Sequence, residues 1–134
     1  MKWIECLADL IFPRKCEICG RLLTGDERYI CEDCMEDMPL TYYWDWPENP
    51  AEKKLWVRTH LHRVIPLFFY TRESRYITLI HKIKYQGKAH LGHYMGFMLG
   101  EKLRGVLSDV DYIVPIPLHP IRRWRRGYNQ AEII

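Results

Sequence analysis

Two cysteine pairs, Cys16-Glu17-Ile18-Cys19 and Cys31-Glu32-Asp33-Cys34, stand eleven residues apart. A CxxC turn aims two thiolates to one side, so two such turns supply four soft ligands to a tetrahedral ion. Gly20, directly after the first pair, lets the backbone close tightly beneath the sulfurs. Cys16, Cys19, Cys31 and Cys34 are therefore the expected ligands of a structural Zn2+, because four protein ligands leave no position open to water or substrate. A redox CxxC needs no second pair. Four free buried thiols and an iron-sulfur cluster use the same residues, but two evenly paired turns around a hairpin favour zinc. The hairpin is expected in the intervening GRLLTGDERYI, with Thr24, Gly25 and Asp26 as its turn. The fifth cysteine, Cys6, is unpaired and is read as a packed thiol.

A second constellation lies near the end of the chain, in LHPIRRWRRGYNQ. His119, four arginines, Gly127 and two amides share a short stretch that leads into a helix expected to begin near Tyr128. Guanidinium groups match phosphate oxygens in bidentate geometry, and a helix start adds backbone donors. This is the chemistry of an anion site. The same charges suit a polynucleotide backbone, or a solvated basic loop with Trp124 tucked against the core.

The elements that must position these groups follow from patterning. A length of 134 residues amounts to about one domain, and 48% hydrophobic with 28% charged residues is ordinary globular composition. No apolar run is long enough to span a bilayer, and Lys2, Glu5 and Asp9 interrupt the apolar start. Residues 1–12 are read as a docking helix with Trp3, Ile4, Leu7, Leu10 and Ile11 near one face. An odd cysteine count without an export signal argues against a disulfide framework and for a cytoplasmic location.

Three segments are expected: residues 1–38 as helix and zinc ribbon, 39–62 as a connector rich in proline and aromatic residues, and 63–134 as an α/β domain. In the connector, residues 42–46 suit either base stacking or packing onto the neighbouring domain. Residues 64–71 and 112–118 read as buried strands. Two helical patterns lie between them, one from Ser74 to Gly87 and one over 91–103 with Gly92, Gly96 and Gly100 on one line. Strands joined by helical crossovers make an α/β sheet, with ligands at the carboxyl ends of its strands.

The paired cysteines, the segment HKIKYQGKAHLGHYMG and above all IVPIPLHPIRRWRRGYNQA resemble the ComF family of competence-associated, phosphoribosyltransferase-like proteins. The resemblance implies a zinc ribbon followed by a type I phosphoribosyltransferase fold. It puts His119, Arg122, Arg126 and Gly127 near the diphosphate of phosphoribosyl pyrophosphate, with Mg2+ bridging that diphosphate, and makes Lys84 and Gly87 motif positions. Family members continue past Gln130 to an acidic, Thr/Gly-rich loop that holds the ribose 5-phosphate, so the chain is expected to be C-terminally truncated and inactive as a transferase. An exposed sheet edge would then favour homo-oligomers. The alternative reading is a non-enzymatic module that binds single-stranded DNA or a competence helicase during DNA uptake.

Overall fold

The computed structural model describes residues 13–134. The helix expected over residues 1–12, and Cys6 with it, lies outside the described residues. The elements in order are α1 (Glu32–Glu36), a 3-10 turn (Tyr43–Asp45), α2 (Pro50–Trp56), α3 (Ile77–Tyr85), α4 (Ala89–Leu103), α5 (Pro120–Arg126) and α6 (Gln130–Ile133).

The expected two-strand sheet is not formed among the described residues, where the only β-pairing is two isolated antiparallel bridges, Lys15 with Leu22 and Leu40 with Phe68. Residues 64–71 meet the start of the connector through Thr41 N donating to Leu67 O at 3.1 Å and Phe69 N to Pro39 O at 2.8 Å, and this backbone pairing extends to no further strand. Residues 112–118 form no regular element: Tyr112 and Val114 are 85% and 82% exposed, and Ile113 and Ile116 similarly so. The physical reason is local. Pro115 and Pro117 remove two of the segment's backbone donors, and a buried strand needs neighbours and cover that the described residues do not provide.

The connector is more ordered than its prolines suggest. Pro50 sits at the start of α2, where a missing N–H costs nothing, and the Asn49 side chain caps that helix by accepting from Ala51 N and Glu52 N at 3.0 and 3.1 Å. Tyr43 and Trp44 are buried, which favours packing for these two rings, whereas Tyr42 and Trp46 remain exposed.

Helices α3 and α4 appear where the periodicity places them. The buried stripe of α3 is Tyr76, Leu79 and Ile83 rather than the isoleucine series alone. It packs with Leu91 and Met95 of α4 and with Cys16, Cys31 and Cys34 into one core. Three of the four expected metal ligands are thus part of the main core and not of a satellite module.

The glycine line of α4 is a packing feature. A Cβ on Gly96 would lie 1.9 Å from the carbonyl oxygen of Ile134, and one on Gly92 would meet the Ile133 side chain at 2.5 Å, whereas Gly100 faces open space. Alanine at Gly100 is therefore expected to stabilise the protein by about 0.5–1 kcal/mol through helix propensity. Gly96→Ala is expected to lose about 1–3 kcal/mol as α6 is pushed off α4. Urea unfolding of the two variants checks the opposite signs.

Candidate metal centre and basic cavity

Local hydrogen bonding shows why residues 14–34 fold around a point. Cys16 N donates to Arg21 O at 2.7 Å, Leu23 N to Arg14 O at 2.8 Å and Gly20 N to Cys16 O at 2.9 Å, so the first pair sits in its own tight hairpin. Gly20 closes it at φ +77, a left-handed conformation that disfavours a side chain. The strand pairing expected between the two cysteine pairs is replaced by this hairpin; Thr24 and Glu27 close a turn beyond it. The Glu27 carboxylate fastens that turn, accepting from Thr24 N and Glu32 N, both at 2.7 Å, and from Arg21 at 3.1 Å. Cys31 is the N-cap of α1 and Cys34 lies one turn inside it, which aims both thiols back at the hairpin.

The four sulfurs all lie within 4.8 Å of one another, with Cys19 Sγ and Cys31 Sγ at 3.6 Å. Zinc–sulfur bonds of about 2.3 Å in a tetrahedron require sulfurs about 3.8 Å apart, so the donor set fits. Cys16, Cys31 and Cys34 are buried, and Cys19 is exposed. Ile18 N and Cys31 N point at Cys16 Sγ from 3.5 and 3.4 Å. Burial alone would raise the Cys16 thiol, but N–H donors around it prevail and bring it down to about 6. Burial pushes the Cys31 and Cys34 thiols up; at Cys34 the neighbouring sulfurs push the same way, while at Cys31 the Cys34 N–H and thiol oppose burial without reversing it. A divalent ion supplies the positive charge that lets all four be thiolates together.

The core holds this centre from the other side. Tyr76 Oη donates to Cys34 O at 3.0 Å. Glu17, inside the first pair, accepts from the ammonium groups of Lys82 and Lys88. Burial acts to raise the Glu17 carboxyl, but the two lysines prevail and hold it below the usual carboxylate range.

The arginine run is helical, contrary to the loop expected from the sequence, and Trp124 is 86% exposed rather than tucked against the core. Helical spacing divides the arginines. Arg122, Arg125 and Arg126 share a face that lines a cavity of about 610 Å³ with Lys84, Tyr85 and Gly87. Arg123 points elsewhere and meets Glu132 at 3.6 Å. Arg126 is braced by Gln130 Oε1 at 2.7 Å and lies 5.4 Å from the centroid of the Tyr85 ring. Among the described residues, Lys84, Arg122 and Arg125 have no hydrogen-bond or ion-pair partner, and no carboxylate lines the cavity.

Of the expected anion-site residues, Lys84, Arg122 and Arg126 converge here. His119 and Gly127 instead cap the two ends of α5 and are not lining residues. The two amides also have structural work: Asn129 caps α6 and donates to Ile116 O at 2.9 Å, and Gln130 braces Arg126. Tyr128 Oη donates to Ile83 O, which docks α5 and α6 against α3. Sequence reasoning did not single out Tyr85, and it counted Arg125 among the four arginines without setting it apart from Arg123; the i, i+3 and i+4 relation of Arg122, Arg125 and Arg126 makes that distinction. No helix among the described residues is long and apolar enough to cross a membrane.

Residues 7–43 match the double zinc ribbon domain family. The four cysteines within that stretch suffice for one tetrahedral centre. Competence protein F of Haemophilus influenzae is 33% identical over 61 residues, a match that takes in 42% of this chain. The chain spans 27% of that protein's length. No solved structure matches the chain.

Proposed function

We propose that this chain joins a structural zinc ribbon to a site for a diphosphate-bearing ligand, phosphoribosyl pyrophosphate carried with Mg2+, in a cytoplasmic protein of DNA uptake. The observation that carries the reading is the cavity in which three unpaired cations and Arg126 converge without a carboxylate. Unpaired guanidinium groups on one helical face suit two neighbouring phosphates. With no acidic lining residue, Mg2+ comes with the ligand and is held by its phosphate oxygens. In the phosphoribosyltransferase-like reading, the apolar segment 112–118 ahead of α5 corresponds by sequence to the strand before the diphosphate loop. The likeness to Competence protein F supports the link to competence. The exposed apolar residues 112–116 support self-association of the chain.

One observation favours a second reading. Trp124 stands exposed between Arg123 and Arg125, and an aromatic face beside arginines suits single-stranded DNA, alone or handed over by a helicase. Calorimetric titration separates the two. Arg122→Ala with Arg126→Ala is expected to weaken Mg2+-pyrophosphate binding at least about 100-fold, since each charge-assisted contact contributes about 1.5–3 kcal/mol. Trp124→Ala is expected to leave it unchanged. Loss of oligonucleotide affinity in Trp124→Ala, with no pyrophosphate binding by the parent protein, selects the DNA-binding module instead.

A further inference from the structure

We infer that Glu17, between two metal-binding cysteines, is a positioning residue for the basic cavity, because its one carboxylate grips the two lysines that bracket the α3–α4 turn. Lys82 Nζ reaches Glu17 Oε2 at 2.8 Å and the Glu17 backbone carbonyl at 2.7 Å. Lys88 Nζ reaches the two carboxylate oxygens at 2.6 and 2.7 Å. Lys82 lies on α3 and Lys88 is the N-cap of α4, so the grip spans the junction of the two helices.

The turn inside that bracket needs external support. Gln86 N and Lys88 N both fold back on Lys82 O, at 3.0 and 3.4 Å, while Gly87 adopts φ +68. The Lys82 carbonyl thus gathers the turn's amides as its ammonium holds Glu17. Lys84, Tyr85 and Gly87, three of the cavity's lining residues, fall between the two lysines.

Glu17 itself has little freedom. Its N–H donates to Tyr29 O at 2.8 Å, and it lies between Cys16 and Cys19, whose thiols a bound ion would hold. The metal knuckle therefore fixes the carboxylate, the carboxylate fixes two ammonium groups, and these fix the rim of the cavity. The clamp also has an electrostatic effect. Glu17 neutralises lysines on either side of Lys84, which remains the one lysine of this turn in the cavity.

This inference rests on the proposed diphosphate site for its functional half, and its test keeps the two halves apart. The zinc-loaded full chain is compared with Glu17→Gln and with Lys88→Met, which loosens the clamp without altering the knuckle. Amide hydrogen exchange at residues 86–89 is the first readout, with zinc content measured alongside. Both variants are expected to keep their zinc and exchange about tenfold faster there, the loss of one charge-assisted bond's worth of protection. Unchanged exchange in Lys88→Met, or in a zinc-retaining Glu17→Gln, overturns the clamp. Mg2+-pyrophosphate titration is the second readout, expected to weaken about tenfold in both variants. Unchanged affinity beside faster exchange overturns the positioning role. No binding by the parent protein removes the diphosphate reading, and the exchange result still decides whether Glu17 holds the turn.

Discussion

Chelation of the zinc-loaded protein is expected to abolish the cooperative fold of residues 14–43 and to loosen α3 and α4 with it. Metal binding in four-thiolate modules contributes on the order of 10–16 kcal/mol, which exceeds the whole stability of a typical domain. Here the consequence reaches further than the ribbon, because Cys16, Cys31 and Cys34 pack directly with Leu79, Ile83, Leu91 and Met95. Without the ion, burial holds the Cys31 and Cys34 thiols up, while the N–H donors around Cys16 lower it to about 6. Binding must therefore release protons, so zinc affinity is expected to rise with pH through the neutral range. Cys34→Ser should mimic chelation. Circular dichroism and proton release during zinc titration are the measurements; metal-free protein with an unchanged spectrum and melting curve would overturn the expectation.

The parts of this structure that could be read from the sequence are those governed by local chemistry. Two CxxC turns report a metal centre because ligand number and spacing are sequence properties, and α3 and α4 are legible because their apolar stripes repeat at the helical period. Helix α2 was hidden by a general reading of proline that overlooked its first-turn exception at Pro50. The apolar runs at 64–71 and 112–118 looked like strands because hydrophobicity measures a wish for burial, whereas a sheet requires a partner elsewhere in the chain. The basic cavity was half legible. Arginine type pointed to an anion site, but which arginines converge depends on the register of α5, and Lys84 and Tyr85 join them only through the packing of α3 against residues 126–130. Nothing local in the sequence marks Glu17, because the lysines that find it stand 65 and 71 positions away.

The buried charge in the connector carries the second large effect. Glu52 is fully buried, and its Oε1 accepts from Arg63 Nε and from Val64 N, both at 3.1 Å. Arg63 Nη2 donates to the carbonyls of Tyr43 and Trp44, at 3.1 and 3.2 Å, so one guanidinium closes α2 onto the 3-10 turn. Glu52 Oε2 is buried and has no hydrogen bond within ordinary geometry among the described residues. Burial acts to raise this carboxyl, yet the Val64 and Glu48 amides and Arg63 outweigh it and hold it below the usual range. Arg63→Met is therefore expected to cost about 3 kcal/mol at neutral pH, the low end for a broken buried pair, since Arg63 keeps 22% of its side chain in solvent. A depressed carboxyl stabilises the fold above its unfolded pKa of about 4.3 and loses that contribution as pH falls through the folded value. The gap between parent and Arg63→Met should accordingly be widest near neutrality and close as the pH drops below about 4. Adding Glu52→Gln to Arg63→Met should recover part of the loss at neutral pH by removing the stranded charge. Urea titrations across this pH range measure all three proteins; a penalty independent of pH and unrelieved in the double variant would mean that Arg63 acts through its carbonyl contacts alone.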